Sequence, residues 1–233
     1  MKGIKTLSII IPALNEEQGI GLVIQSIPKE ELARGGYKTE IIVVDNNSDD
    51  DTARIARRNG ARVVFGKKRG YGYACKKGMQ ESNGEVIVLC DADNTYPLRD
   101  LPRLLSYYNE RQLNFLVTNR FPHGYFNLVT MPRMNRLGNA FLSTATRLLF
   151  GISLIDSQSG MWIVDVAIAR KLIIRSNKMP FSQEIKIDCI FFQNAKWDQI
   201  SIKYGNRIGI KKLNNIRDGI HNLFSLFVKR LYR

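Results

Sequence analysis

Histidine and cysteine are scarce in this chain of 233 residues. Two histidines, His123 and His221, are too few for a multi-histidine metal centre. The three cysteines, Cys75, Cys90 and Cys189, are odd in number and lack C-x-x-C spacing. That excludes a disulfide framework and a cysteine zinc site, and fits a reducing cytosolic setting. No apolar run approaches the roughly 20 residues of a spanning helix. The run from Leu7 to Leu14 is broken by Pro12 and leads into Asn15-Glu16-Glu17 rather than a small-residue cleavage site, so it does not read as a signal peptide. No G-x-G-x-x-G follows it, and G-x-x-x-x-G-K-[ST] occurs nowhere, which disfavours a dinucleotide-dependent dehydrogenase and a P-loop nucleotidase.

Acidic residues are also few. Lys and Arg number 35 against 21 Asp and Glu, leaving a net charge of +14, while 44% apolar residues is ordinary for a globular domain. Such an excess implies a polyanionic partner: nucleic acid, an anionic membrane face or a phosphorylated substrate. It is concentrated in the second half. Arg111 to Ile155 contains no acid but holds Arg111, Arg120, Arg133, Arg136 and Arg147. Ser201 to Arg233 holds eight basic residues against one acid, Asp218.

The hydrophobic pattern alternates strands and helices. Thr6–Pro12, Glu40–Asp45, Arg62–Phe65, Glu85–Cys90 and Asn114–Thr118 read as strands. Helices are expected from Ile20 to Ile27, stopped by Pro28, then over Ala53–Asn59, Tyr71–Ser82 and from about Pro97. Beyond the fifth strand, helices are expected over Asn135–Phe150, Val166–Ile174, Glu184–Gln193 and Asn214 to the end, with a strand at Gln199–Tyr204. This alternation predicts an α/β fold, a mostly parallel Rossmann-like sheet flanked by helices on both faces. There is no internal repeat, low-complexity segment or linker, so the chain reads as one domain with a C-terminal helical appendage.

In such a sheet, ligands bind beyond the carboxyl ends of the strands. The polar residues there are Asn15 and Glu16, Asp45, Asp91 and Asp93, and Arg120. An isolated D-x-D is more often a helix cap, but one directly after a buried strand, beside other strand-end acids, suits a hard divalent cation with phosphate oxygens. Asp49 to Asp51 suit a helix start. Arg69-Gly70-Tyr71-Gly72 offers a cation and flexible backbone before a helix N-terminus, a diphosphate contact in outline.

Two helices are amphipathic. In the last, Ile216, Ile220, Leu223, Phe224, Phe227 and Leu231 form one stripe, flanked by Arg217, Lys229, Arg230 and Arg233. In Asn135–Phe150 the stripe is Leu137, Phe141, Ala145, Leu148 and Leu149. Either suits docking on the core, the commoner use. Either suits an anionic membrane interface equally well.

Assembled, these residues resemble glycosyltransferase family 2, of GT-A fold, and within it the branch of dolichyl- and polyprenyl-phosphate sugar synthases such as the dolichol-phosphate mannose synthases. The likeness is carried by eight landmarks in order: I-I-I-P-A-L-N-E-E (9–17), V-V-D-N-N-S-D-D-D-T (43–52), R-G-Y-G-Y-A (69–74), D-A-D-N-T-Y-P (91–97), T-N-R-F (118–121), R-L-G-N (136–139), D-S-Q-S-G (156–160) and Y-G-N-R-I-G-I-K-K-L (204–213). It implies a catalytic domain over 1–213, followed by the basic amphipathic helix 214–233. The activity it implies is inverting transfer of a hexose from a UDP- or GDP-sugar to dolichyl or polyprenyl phosphate, a step of protein glycosylation. Pro12, Leu14, Asn15, Glu16 and Asp45 would hold the nucleotide, with Arg69, Ala92, Arg207 and Lys212 completing the donor site. Asp91 and Asp93 would hold Mg²⁺ or Mn²⁺. Arg120, with Arg133 or Arg136, would receive the acceptor phosphate. The partners implied are the nucleotide sugar, the lipid phosphate and the cytoplasmic face of an anionic membrane, met peripherally, and no nucleic acid.

Several positions depart from the family pattern. Leu14 replaces a frequent aromatic, Asn46 the second acid of D-D-G-S, Met161-Trp162 a common Phe-Arg, and Lys211 a usual Ser. Thr95 stands where a Gln metal ligand is frequent, which leaves the third protein ligand open. A phosphate monoester, with a second pKa of about 6, needs no strong general base. A hydroxyl acceptor would need one, for which Glu184 and Asp156 are the candidates. A hydroxyl-directed family 2 enzyme is the main alternative, with a nucleic-acid-binding module and a transferase lacking turnover behind it.

Overall fold

The computed structural model describes residues 3–121, 131–210, 212 and 215–232. Lys211, the Ile216 side chain and Arg233 lie outside the described residues. The chain runs β1 (Lys5–Ala13), α1 (Ile20–Gln25), α2 (Lys29–Arg34), β2 (Tyr37–Asp45), α3 (Thr52–Arg58), β3 (Arg62–Phe65), α4 (Tyr71–Glu81), β4 (Val86–Leu89), α5 (Leu101–Glu110), β5 (Phe115–Asn119), α6 (Arg133–Phe150), β6 (Trp162–Asp165), α7 (Val166–Ala169), α8 (Phe181–Ile187), β7 (Trp197–Ser201) and α9 (Asn215–Tyr232). The strands form one sheet in the order β3-β2-β1-β4-β6-β5-β7.

Period-two alternation sends successive side chains of the central strands to opposite faces, and both faces are covered. On one face Leu7, Ile9 and Ile11 of β1 and Val88 of β4 pack with Val23 of α1, Leu32 of α2, Ala56 of α3 and Leu104 of α5. On the other, Ile10, Ile42 and Leu89 pack with Cys75 of α4, Phe150 of α6, Phe181 of α8 and Leu226 of α9. Burial on both sides explains why these strands are unbroken apolar runs.

β1, β2 and β4 are parallel, with Ala13 beside Asp45 and Ile10 beside Leu89. Their carboxyl ends therefore open on one edge of the sheet, where segments 14–16, 46–51 and 90–95 gather. β6 is antiparallel to β4 and β5, an arrangement that the pattern of Asp156 to Val166 does not disclose. Its W-I-V core is buried between them, and it delivers segment 156–160 to the same edge.

Other elements depart from expectation. Pro28 is followed by a new helix, α2, because a proline is tolerated at a helix start and Glu30 and Glu31 favour the positive end of the helix dipole. The helix expected over Val166–Ile174 is the single turn α7, capped by the Asp165 side chain. The helix expected from Glu184 begins at Phe181 and continues as a π turn over Asp188–Phe192. β7 lies two to three residues earlier than expected.

α9 packs against α6 and α8. Leu226 is buried in the core, and Asn222 donates to Gln158 Oε1 at 2.8 Å. Lys229 is buried, donating to Ile173 O at 2.6 Å and pairing with Asp188 and, at 3.3 Å, with Glu184. Of the stripe read from the sequence, Ile220, Phe224, Phe227 and Leu231 are exposed, pointing away from the protein. α6 does the same. It buries Asn139, Leu142, Ser143 and Thr146, and exposes Met134, Leu137, Phe141 and Leu148. Among the described residues, no helix is long and apolar enough to cross a membrane.

Candidate active site

Asp91 and Asp93 stand just past β4. The Asp91 carboxylate accepts a hydrogen bond from the Tyr71 hydroxyl at 3.0 Å. Gly160, delivered by the turn before β6, abuts it so closely that a methyl group there would overlap the carboxylate. Burial, then the neighbouring Asp93 charge, pushes Asp91 up to about 6. Asp93 is almost wholly buried. Its Oδ1 accepts from the Thr95 amide at 3.1 Å and hydroxyl at 2.6 Å, and its Oδ2 pairs with Arg207 Nη2 at 2.6 Å. Thr95 thus holds Asp93 in place.

The basic segment after β7 is laced onto this edge. Gly205 N donates to Thr95 O at 2.8 Å and Ile208 N to Asp93 O at 2.9 Å. Arg207 Nη1 lies 4.0 Å from Glu16 Oε1, while Lys212 pairs with Glu16 and donates to Asn15 O at 2.7 Å. Burial raises the Glu16 carboxyl even against the Lys212 charge. The turn passes through Gly209 at φ +87°, a conformation that favours glycine.

Arg120, at the end of β5, is committed to Asp156. Its Nε and Nη2 donate to the two carboxylate oxygens at 2.7 and 2.9 Å, its backbone N–H donates at 3.1 Å, and Asn139 Nδ2 adds a fourth bond at 2.6 Å. Burial alone would raise the Asp156 carboxyl, but the Arg120 guanidinium outweighs it and holds the group below its usual range. Beneath this turn, Lys186 is fully buried and donates to Ser159 O at 2.7 Å and Ser182 O at 2.6 Å. Burial, foremost, lowers it to about 7.

Two cavities meet here. One, of about 350 Å³, is lined by Pro12, Leu14, Glu16, Arg69, Asp91 and Asp93, with Ala92 and Lys212 beside them. The other, of about 390 Å³, is lined by Thr95, Arg120, Met134, Asn135, Asn139 and Tyr204. Met179, Arg207 and Asp218 line both.

Some residues picked from sequence do not line these cavities. Asp45 accepts from Ser48 N at 3.0 Å, and Asn15 accepts from Asp49 N at 2.8 Å, so both shape the loops while Asn46 reaches the cavity wall. Arg133 and Arg136 do not line the second cavity, because helical phase presents Asn135, Gly138 and Asn139 to it instead. Glu184 is corrected as a candidate base. It is buried, accepts from the Arg175 and Ser176 amides at 2.9 and 2.8 Å, and pairs with Lys229. Asp156 is corrected likewise, since a carboxylate so strongly paired with Arg120 is a poor proton acceptor. Sequence reasoning missed Tyr71, Gly160, Met179 and Asp218. Gly160 ends D-S-Q-S-G and Asp218 is the lone acid of its segment, whereas Met179 carries no sequence signal.

Residues 8–173 match the family model "Glycosyl transferase family 2". The chain belongs to glycosyltransferase family 2. This glycosyltransferase is 32% identical over 181 residues to the dolichyl-phosphate hexose transferase of Haloferax volcanii, covering 72% of this chain and 75% of that one. It is 29% identical over 214 residues to the low-salt glycan biosynthesis hexosyltransferase Agl6 of the same organism, covering 92% of this chain and 51% of that relative. The fold is that of GT-A glycosyltransferases. A crystal structure of glucosyl-3-phosphoglycerate synthase from Mycobacterium tuberculosis, in complex with Mn²⁺, UDP and glucosyl-3-phosphoglycerate, superposes with a TM-score of 0.74 at 24% identity, over 97% of this chain and 80% of that one.

The donor set of the glycosyltransferase fits a hard divalent cation. Asp91 and Asp93 offer only oxygens, and among the described residues no three His, Cys, Asp or Glu side chains converge on one point. Two carboxylates, with diphosphate oxygens and water completing the shell, are how Mg²⁺ and its relatives are commonly held at phosphate sites. Arg207 presently neutralises Asp93. Arg207→Ala is therefore expected to raise the Mn²⁺ affinity of the nucleotide-free protein about tenfold, the worth of a charged hydrogen bond. The same change should weaken binding of a nucleoside diphosphate. Titration by electron paramagnetic resonance, with and without nucleotide, checks both.

Proposed function

We propose that this enzyme transfers a hexose, with inversion, from a nucleotide sugar to the phosphate of a polyprenyl or dolichyl lipid. The observation that carries the reading is the setting of the second cavity. Arg120 lies in its wall, and its rim is formed by α6, where Met134 is 71% exposed and Gly138 open to solvent. Beyond the rim, α6 and α9 expose Leu137, Phe141, Leu148, Ile220, Phe224, Phe227 and Leu231 among the described residues. Large apolar side chains exposed along two helices that pack together suit a surface that is covered in use. A lipid chain in a membrane interface would cover it while its phosphate enters the cavity.

The nucleotide sugar would occupy the first cavity. Pro12 and Leu14 offer an apolar wall to the base, Glu16 a carboxylate for ribose hydroxyls, and Arg207, Lys212 and Arg69 cations for the diphosphate. A divalent cation held by Asp91 and Asp93 would supply charge neutralisation for the departing diphosphate. An acceptor phosphate oxygen attacks the anomeric carbon as its bond to the diphosphate breaks. Arg120 helps place that phosphate without quenching it, because its charge is shared with Asp156. Glu184 and Asp156 are not available as bases, and a phosphate nucleophile, already ionised, needs neither.

The test is a donor and acceptor screen: purified protein with Mn²⁺ or Mg²⁺, short-chain dolichyl phosphate, and UDP-glucose, UDP-N-acetylglucosamine or GDP-mannose in turn. A glycolipid product is expected with one donor. Transfer to 3-phosphoglycerate or another hydroxyl compound, with none to lipid phosphate, would sink the lipid reading.

Membrane contact has a separate readout. The protein is expected to float with vesicles containing phosphatidylserine, and Phe141→Ser with Phe224→Ser should weaken this at least tenfold, since each buried Phe contributes about 1.5–3 kcal/mol. The melting temperature should hold, because both side chains are exposed. Flotation equal to wild type would show that these faces are not the contact.

A further inference from the structure

The one acid between Ser201 and Arg233 is Asp218, set in the first turn of α9. There the positive end of the helix dipole favours its charge. Asp218 lines both cavities, together with Met179 and Arg207. Its position is fixed by the helix that carries it. One turn on, Asn222 is bonded to Gln158, and two turns beyond that Lys229 is held by Asp188 and Glu184.

Transfer places a constraint on what lies at this junction. The anomeric carbon parts from a diphosphate in the first cavity and joins an oxygen arriving from the second, so the hexose ring must lie where the cavities meet. Of the side chains shared among the described residues, Arg207 is matched to phosphates, and Met179 offers an apolar surface to ring C–H groups. A carboxylate would repel both phosphates, yet it is an acceptor with two oxygens, complementary to a pair of sugar hydroxyls. We propose that Asp218 is a specificity residue that accepts hydrogen bonds from hydroxyls of the transferred hexose. The assignment rests on the donor and acceptor reading above.

The test compares wild type with Asp218→Asn by calorimetry in Mn²⁺. The ligands are UDP, GDP, UDP-glucose, UDP-N-acetylglucosamine and GDP-mannose, then singly deoxygenated analogues of the donor that binds best. Asp218→Asn is expected to leave the nucleoside diphosphate affinity unchanged or raised, as a like charge is removed, and to weaken that donor about tenfold to a hundredfold. Removing the hydroxyl that Asp218 reads should cost wild type a similar factor and cost the variant little. Unchanged donor affinity, equal deoxy penalties in both proteins, or equal weakening of diphosphate and donor would each overturn the assignment alone. So would loss of kcat at constant KM with loss of an acidic limb in the rate profile, which marks a general base. If wild type binds UDP or GDP but none of the three sugar donors, the proposed function falls and this assignment with it.

Discussion

Asp93→Ala is expected to abolish transfer, lowering kcat/KM by about 10³-fold or more, because charge neutralisation at the departing group supplies several kcal/mol. The effect should be large because Asp93 organises its surroundings as well as facing the donor cavity. Its Oδ1 gathers the Thr95 amide and hydroxyl, its Oδ2 holds Arg207, and its carbonyl takes Ile208 N–H. Removing the carboxylate releases the arginine and takes away half of the D-x-D donor set together. Mn²⁺ titration should show affinity for cation and nucleotide failing together, while circular dichroism stays native. Asp93→Asn, which keeps the shape and accepts the Thr95 bonds, separates the roles: it should preserve the loop and still lose the cation. Activity within tenfold of wild type in either variant would remove Asp93 from the mechanism.

The second large effect is on stability. Asp156 is fully buried and engages Arg120 through both oxygens. Asp156→Ala leaves the guanidinium buried without its partner, which costs about 3–5 kcal/mol. Chemical denaturation should show that loss, and the acceptor KM should rise as Arg120 shifts. The pair also has a pH signature. Its folded pKa is depressed below the unfolded value of about 3.9. The stability it contributes is therefore fully present above about pH 4 and is lost as pH falls through the folded value. Asp156→Asn should flatten this acid limb of the stability profile while costing less at neutral pH than the alanine variant.

How much of this was legible in the sequence depends on whether a feature is local. β1, β2 and β4 announce themselves because strands buried on both faces must be apolar throughout, and Asp91 and Asp93 stand out because they end such a run. β6 did not, since an antiparallel insertion between β4 and β5 is decided by long-range pairing that a four-residue run does not encode. Pro28 read as a stop when it is also a start, since proline at that boundary serves both neighbours. Gly160 against Asp91 and Tyr71 on its other side are contacts across 69 and 20 positions, fixed by topology alone. Helical phase was the subtlest case. Periodicity finds the stripe of α6 or α9 but not its partner, and here the polar side of α6 turns inward, with Asn139, Ser143 and Thr146 bonded within the fold.

That inversion has a kinetic consequence. An enzyme seated by the outer faces of α6 and α9 would meet its lipid acceptor by lateral diffusion in two dimensions, while its sugar donor would arrive from the aqueous phase in three. The acceptor's effective concentration would then be its mole fraction in the bilayer. Diluting the lipid phosphate with inert phospholipid would slow the reaction, whereas diluting the vesicles at constant composition would not, so long as the enzyme stays bound.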